Sequence, residues 1–155
     1  MRSSFLIATL IVATLPSLVE SASAPDDLEA AVARMARISS SRSPSFSPDG
    51  KRIAFISDRS GVPQVWMVSA EGGEPRQITR LEDQVGSVEW SPDGKWLAFS
   101  VAPGGGLNEQ IYLVAPDGGT PRRITEGGQV NNRLAGWSGR YLRFSSNRRD
   151  PGALD

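Results

Sequence analysis

Residues 90–96 read WSPDGKW, and residues 46–52 read FSPDGKR, the same phrase 44 positions earlier. The likeness extends along the chain. Gln64-Val65-Trp66-Met67-Val68 is answered 46 residues later by Gln110-Ile111-Tyr112-Leu113-Val114. The stretch 72–79, GGEPRQIT, is answered by 118–125, GGTPRRIT, and Trp90 by Trp137. Two units, 44–79 and 88–125, are followed by a third that begins GWSGRYLRFSSNRRD at 136 and reaches only residue 155. A period of 40–50 residues with four short apolar segments per period is the pattern of propeller blades.

Each segment has a physical reason to be a strand. Ile53-Ala54-Phe55-Ile56 and Leu97-Ala98-Phe99 alternate large and small side chains, while 65–68 and 111–114 are near-continuous apolar runs of the kind buried on both faces. The turns are equally legible. Ser47-Pro48-Asp49-Gly50 and Ser91-Pro92-Asp93-Gly94 join a fixed φ, a carboxylate that bonds its own backbone and a residue tolerant of positive φ. Gly72-Gly73 and Asp117-Gly118-Gly119 mark the next hairpin. Asp49 and Asp93 are therefore expected as turn-formers. A calcium loop would need further Asp or Asn at alternate positions, and the sequence has none there. The expected fold is all-β: about two and a half four-stranded antiparallel blades of a propeller, with Phe46, Phe55, Trp66, Trp90, Phe99, Tyr112, Trp137 and Phe144 as blade core.

Composition excludes several chemistries. Seventeen basic residues balance seventeen acidic ones, and the longest basic runs are two residues, which argues against nucleic acid or an anionic membrane as partner. Without cysteine there is no disulfide, thiolate or lipoprotein anchor; without histidine no Ser-His-Asp triad closes within this chain, and no His-ligated metal site forms. No cofactor is expected.

The first 24 residues are set apart. Arg2 precedes an apolar run at 5–15, and small residues follow at 21–24, the order of a secretory signal peptide. The run is shorter than the roughly 20 residues that span a bilayer. Ala22-Ser23-Ala24 supplies a small-x-small cleavage pattern, although Pro25 follows it awkwardly. The segment 25–43 reads as a short helix and linker, with Leu28, Ala31, Val32, Met35 and Ile38 forming one apolar stripe before the serine-rich break at 39–44. The partial propeller then spans 44–155, its third blade (136–155) incomplete.

Tandem units of this form resemble the PD40-type repeats of TolB and of the prolyl-oligopeptidase-like serine peptidases. The stretch 38–61, the segment Gly105-Gly106-Leu107-Asn108-Glu109-Gln110 and the run Asn147-Arg148-Arg149-Asp150-Pro151 resemble the secreted peptidases more closely. That resemblance implies a propeller seated over a C-terminal α/β-hydrolase domain, gating access of peptide substrates to a serine nucleophile. The triad would lie outside this chain, which on this reading is the inactive N-terminal portion of an exported bacterial peptidase, secreted or periplasmic. The alternative is a TolB-like periplasmic propeller that binds a protein partner. Gly136-Trp137-Ser138-Gly139 is not a nucleophile elbow: the second glycine comes one residue early, and the stretch aligns with 90–94 less its Pro-Asp. Glu109, the acidic residue of an unusual loop, is the weak candidate for a substrate contact. The third unit also places Arg143 where Ala54 and Ala98 stand, so that it must reach solvent or find an acidic partner.

Overall fold

The computed structural model describes residues 39–153. The signal-peptide segment, the whole of the short helix expected before residue 39 and the last two residues lie outside this range. Four strands, β1 (Ser41–Phe46), β2 (Arg52–Ser57), β3 (Gln64–Ser69) and β4 (Arg76–Gln77), form one antiparallel sheet in sequence order. A second sheet repeats the plan with β5 (Val85–Trp90), β6 (Leu97–Val101), β7 (Gln110–Ala115) and β8 (Gly118–Arg123). The hairpin of β9 (Asn132–Ser138) and β10 (Tyr141–Ser146) begins a third. Each sheet opens three or four residues before the unit bound read from the sequence: β1 at Ser41 against 44, inside the serine-rich stretch, β5 at Val85 against 88, and β9 at Asn132 against 136.

The repeat holds to the level of register. Phe46 pairs with Ile53 as Trp90 pairs with Leu97 and Trp137 with Leu142. A bulge then follows in each first hairpin, between Arg42 and Ser45, between Val85 and Val88, and between Arg143 and Phe144. One extra residue bends and twists a strand, and the recurrence turns the three first strands alike. Those strands meet from sheet to sheet, β1 on β5 and β5 on β9, the arrangement in which blades bury their faces on one another.

The core fills the space between the first two sheets. Ala54, Ile56, Val65 and Met67 from the first face Val85, Val88, Trp90, Leu97 and Phe99 of the second. Phe99 is fully buried and stacks on Tyr112 with ring centroids 5.6 Å apart, a geometry that adds to the roughly 2–3 kcal/mol of burying an aromatic ring.

Two residues expected in the core are not there. Phe46 is 61% exposed and Phe144 42% exposed. The repeat explains both. Phe46 holds the place of Trp90, which is 5% exposed because Arg52 of the preceding blade lies 4.8 Å over its ring; no described strand precedes Phe46. Phe144 holds the place of Phe99, which is covered by Tyr112 of the third strand in its sheet; among the described residues nothing follows β10 in its own sheet. Phe55, Trp66, Tyr112 and Trp137 are half-buried. Arg143 is exposed.

Candidate functional site

The turn after each first strand is built identically. In the first, the Ser47 hydroxyl donates to Asp49 Oδ1 at 2.6 Å, the Lys51 amide donates to the same oxygen at 3.1 Å, and the Arg52 amide donates to Ser47 Oγ at 2.9 Å. In the second, Ser91, Asp93, Lys95 and Trp96 make the same bonds at 2.7, 3.1 and 2.9 Å. Gly50 and Gly94 both take φ of +70°, where a Cβ is strained, and their amides close the turn onto the serine carbonyls. The serine hydroxyl, and then the lysine amide, hold both aspartates below the ordinary carboxylate range. Each carboxylate is a solvated charge bound to its own turn. Pro48 and Pro92 set the first turn residue in both cases. The third hairpin, without Pro-Asp, closes in two residues between Ser138 and Tyr141. Ser138 is exposed on that hairpin.

Glu109 lies just before β7. Its amide donates to Asn131 Oδ1 at 2.9 Å, and its carbonyl accepts from the Asn132 amide at 2.9 Å. Its carboxylate stands beside the bulge of β5: a Cβ added to Gly86 would meet Ser100 Oγ at 2.8 Å and Glu109 Oε1 at 3.3 Å. The Ser87 and Ser100 hydroxyls share a hydrogen bond of 2.8 Å at the same place. Glu109 is thus held at the junction of the second and third units, half-buried, next to a patch of hydroxyls. Among the described residues no group of three or more Asp or Glu side chains converges as a metal site would require.

The most developed polar constellation was not read as such from the sequence. Gln64 is buried, and its Oε1 accepts from the Thr79 hydroxyl and the Leu81 amide, both at 2.9 Å. Its Nε2 donates to the carbonyls of Leu81 and Asp83. Thr79 Oγ1 in turn accepts from the Val65 amide at 2.9 Å. Gln110 and Thr125 repeat the arrangement on the Ile111 amide, with Gln110 Nε2 donating to the Val130 carbonyl. Asn132 adds a donor to Gln110 Oε1 at 3.1 Å and accepts from the Ser146 hydroxyl at 2.9 Å. These networks clamp the connection between one blade and the next. The signal was present: Gln and Thr recur at the same offset of 46 at places where a strand pattern has no need of them.

With this geometry in view, the likeness to known proteins is informative. Residues 28–101 match the model of the PD40 family, described as the TolB beta propeller domain. An uncharacterized peptidase of Bacillus subtilis, YuxL, is 45% identical over 67 residues, 43% of this chain and 10% of that protein. The Tol-Pal system protein TolB of Alcanivorax borkumensis is 33% identical over 64 residues, 41% of this chain and 15% of that one. Among solved structures, TolB from Acinetobacter baumannii superimposes with a TM-score of 0.58 at 26% identity, over 72% of this chain and 28% of its own. A prolyl endopeptidase superimposes with a TM-score of 0.55 at 13% identity, over 70% of this chain and 18% of its own, a likeness of fold alone. The chain therefore spans a small part of each of these relatives. Residues 28–101 are similar to the TolB beta propeller domain of the PD40 family, and the described chain has the fold of an incomplete β-propeller.

Proposed function

We propose that this chain is the non-catalytic propeller portion of an exported prolyl-oligopeptidase-like serine peptidase, and that the propeller gates access to a hydrolase domain carried elsewhere in the parent. The observation that carries this reading is the 45% identity over 67 residues to a protein named as a peptidase. The likeness to a prolyl endopeptidase, one of fold alone, supports the propeller part of this reading. On this reading residues 1–24 are the signal for export, 25–43 lead into the propeller, and 44–155 supply its first blades, with the wall of the gate rather than the chemistry. The partners are the remaining blades, the hydrolase domain and the peptide that passes between them. Glu109, fixed by Asn131 and Asn132 beside the Ser87–Ser100 pair, is the side chain of this chain best placed to meet that peptide.

A second reading, a TolB-like periplasmic module that binds a protein and does no chemistry, is favoured by the TM-score and identity to TolB. The two are separated by treating the full-length native product with a fluorophosphonate probe. Covalent labelling of one serine outside residues 1–155 supports the peptidase. A full-length protein that takes no label, yet retains a protein partner through affinity purification, supports the module.

A further inference from the structure

The two grooves between successive turns are not equivalent, and the difference makes a binding site. In the first, between blades one and two, the groove is closed. Arg52 stacks 4.8 Å over Trp90, and the turn at Gly94 rests against Pro48, whose Cδ would lie 3.8 Å from a Cβ at that glycine. In the second, between blade two and the β9–β10 hairpin, three changes open it. Trp96 stands where Arg52 does, so the stacked cation is gone. Trp137 holds the place of Trp90 but is only half-buried. The loss of Pro-Asp shortens the third turn, and a Cβ at Gly139 would meet nothing within 4 Å. What remains is a cavity of about 520 Å³, lined by Asp93, Trp96, Leu113, Trp137, Gly139 and Arg140 among others.

We propose that this groove binds a peptide segment presenting an arginine followed by an acidic residue. The occupant is defined by the closed groove of the same chain, where a guanidinium lies on the equivalent tryptophan. A flat, weakly hydrated guanidinium suits a slot flanked by indoles better than an ammonium does. Charge matches as well. Asp93 offers a carboxylate on the lining, bound to its own turn and, among the described residues, in no ion pair. Arg140 is the cation on the lining. It sits 5.2 Å over the Tyr141 ring and donates to Tyr141 Oη at 3.1 Å, which leaves the rest of its guanidinium fork to receive an acidic neighbour. The groove is lined by the turns of the β5–β6 and β9–β10 hairpins, and the proposal does not depend on which parent the propeller serves.

The test is titration of the full chain with acetyl-Gly-Arg-Glu-Gly-amide, read from the indole N–H resonances of Trp96 and Trp137. Saturable shifts are expected, with a dissociation constant on the order of 1 mM. The same peptide with leucine for arginine should bind about tenfold more weakly, and with lysine about threefold more weakly. Trp96→Arg rebuilds the plug of the first groove and should weaken binding about tenfold while leaving the other indole resonances in place. Trp96→Ala, which removes one wall, provides the same readout should the arginine variant fail to fold. Equal binding of the leucine peptide, undiminished binding by these variants, or no shift at about 10 mM peptide would overturn the proposal.

Discussion

Replacing Thr79 by valine tests whether the Gln–Thr clamp holds the blades in register. Valine has nearly the shape of threonine, so packing is conserved while the hydroxyl is lost. Two bonds of 2.9 Å go with it, one from the Val65 amide and one to Gln64 Oε1. Gln64 Oε1 keeps the Leu81 amide, but the Val65 N–H loses its acceptor in a site where Thr79 is 1% exposed and Val65 fully buried. An unsatisfied buried donor costs about 1–3 kcal/mol, and a lost neutral hydrogen bond about 1 more. The expected loss is therefore about 2–4 kcal/mol, or roughly 8–16 °C in Tm for a domain of this size. Thr79→Ser keeps the hydroxyl and loses a methyl group, which should cost only about 1 kcal/mol. The measurement is urea unfolding of the two variants and the wild type at low protein concentration. If valine proves no worse than serine, the clamp does not carry the stability assigned to it. Thr125→Val should fall between them, because Thr125 is half-buried and water can reach the orphaned groups.

Three further outcomes are expected. The depressed pKa values of Asp49 and Asp93 mean that the unfolded chain binds more protons than the folded one, so stability is present above the unfolded value near 3.9 and is lost as pH falls through the folded values. Thermal melts between about pH 5 and pH 2 should show this fall, and it should flatten in the Asp49→Asn, Asp93→Asn double variant. Phe99→Ala should destabilise by about 3–5 kcal/mol because the ring is fully buried, whereas Phe46→Ala, which removes the same ring from an exposed position, should change stability by less than about 1 kcal/mol; equal costs in chemical denaturation would contradict this difference in burial. Finally, Tyr141 and Phe144 of β10 and Ile124, which shares a cavity lining with Phe144, are exposed, and no described strand pairs with the second edge of β10. Such an edge invites pairing with another chain, and sedimentation velocity should show association that grows with concentration and is reduced by Phe144→Lys.

The sequence revealed the strands and turns because each repeat states them twice. Pro-Asp-Gly, the paired glycines and the apolar runs are local signals, and a period of 44–47 residues brings them into alignment. Burial was less legible because in a stack of blades it depends on the neighbour. Phe46 and Trp90 occupy the same place in their strands, yet only Trp90 has a preceding blade over it. The same holds for Phe99 and Phe144, which differ by the presence of Tyr112 on the next strand. Asn132 was invisible as a network residue because its place is taken by Val85 in the second unit and by Ser41 in the first, so no repetition marked it. The open groove was hidden for a related reason. Trp96 reads as one more apolar residue at a strand's start, and its meaning emerges only when Arg52 is seen to fill the corresponding space over Trp90.

The central claim is that these blades belong to the propeller of a serine peptidase. It is tested most directly by sequencing the source transcript beyond the codon for Asp155. The account predicts an open frame that continues through further Ser-Pro-Asp-Gly units into a Gly-x-Ser-x-Gly elbow, with an aspartate and a histidine downstream. A frame that closes after the last blade, with no elbow, would contradict it and leave the binding module.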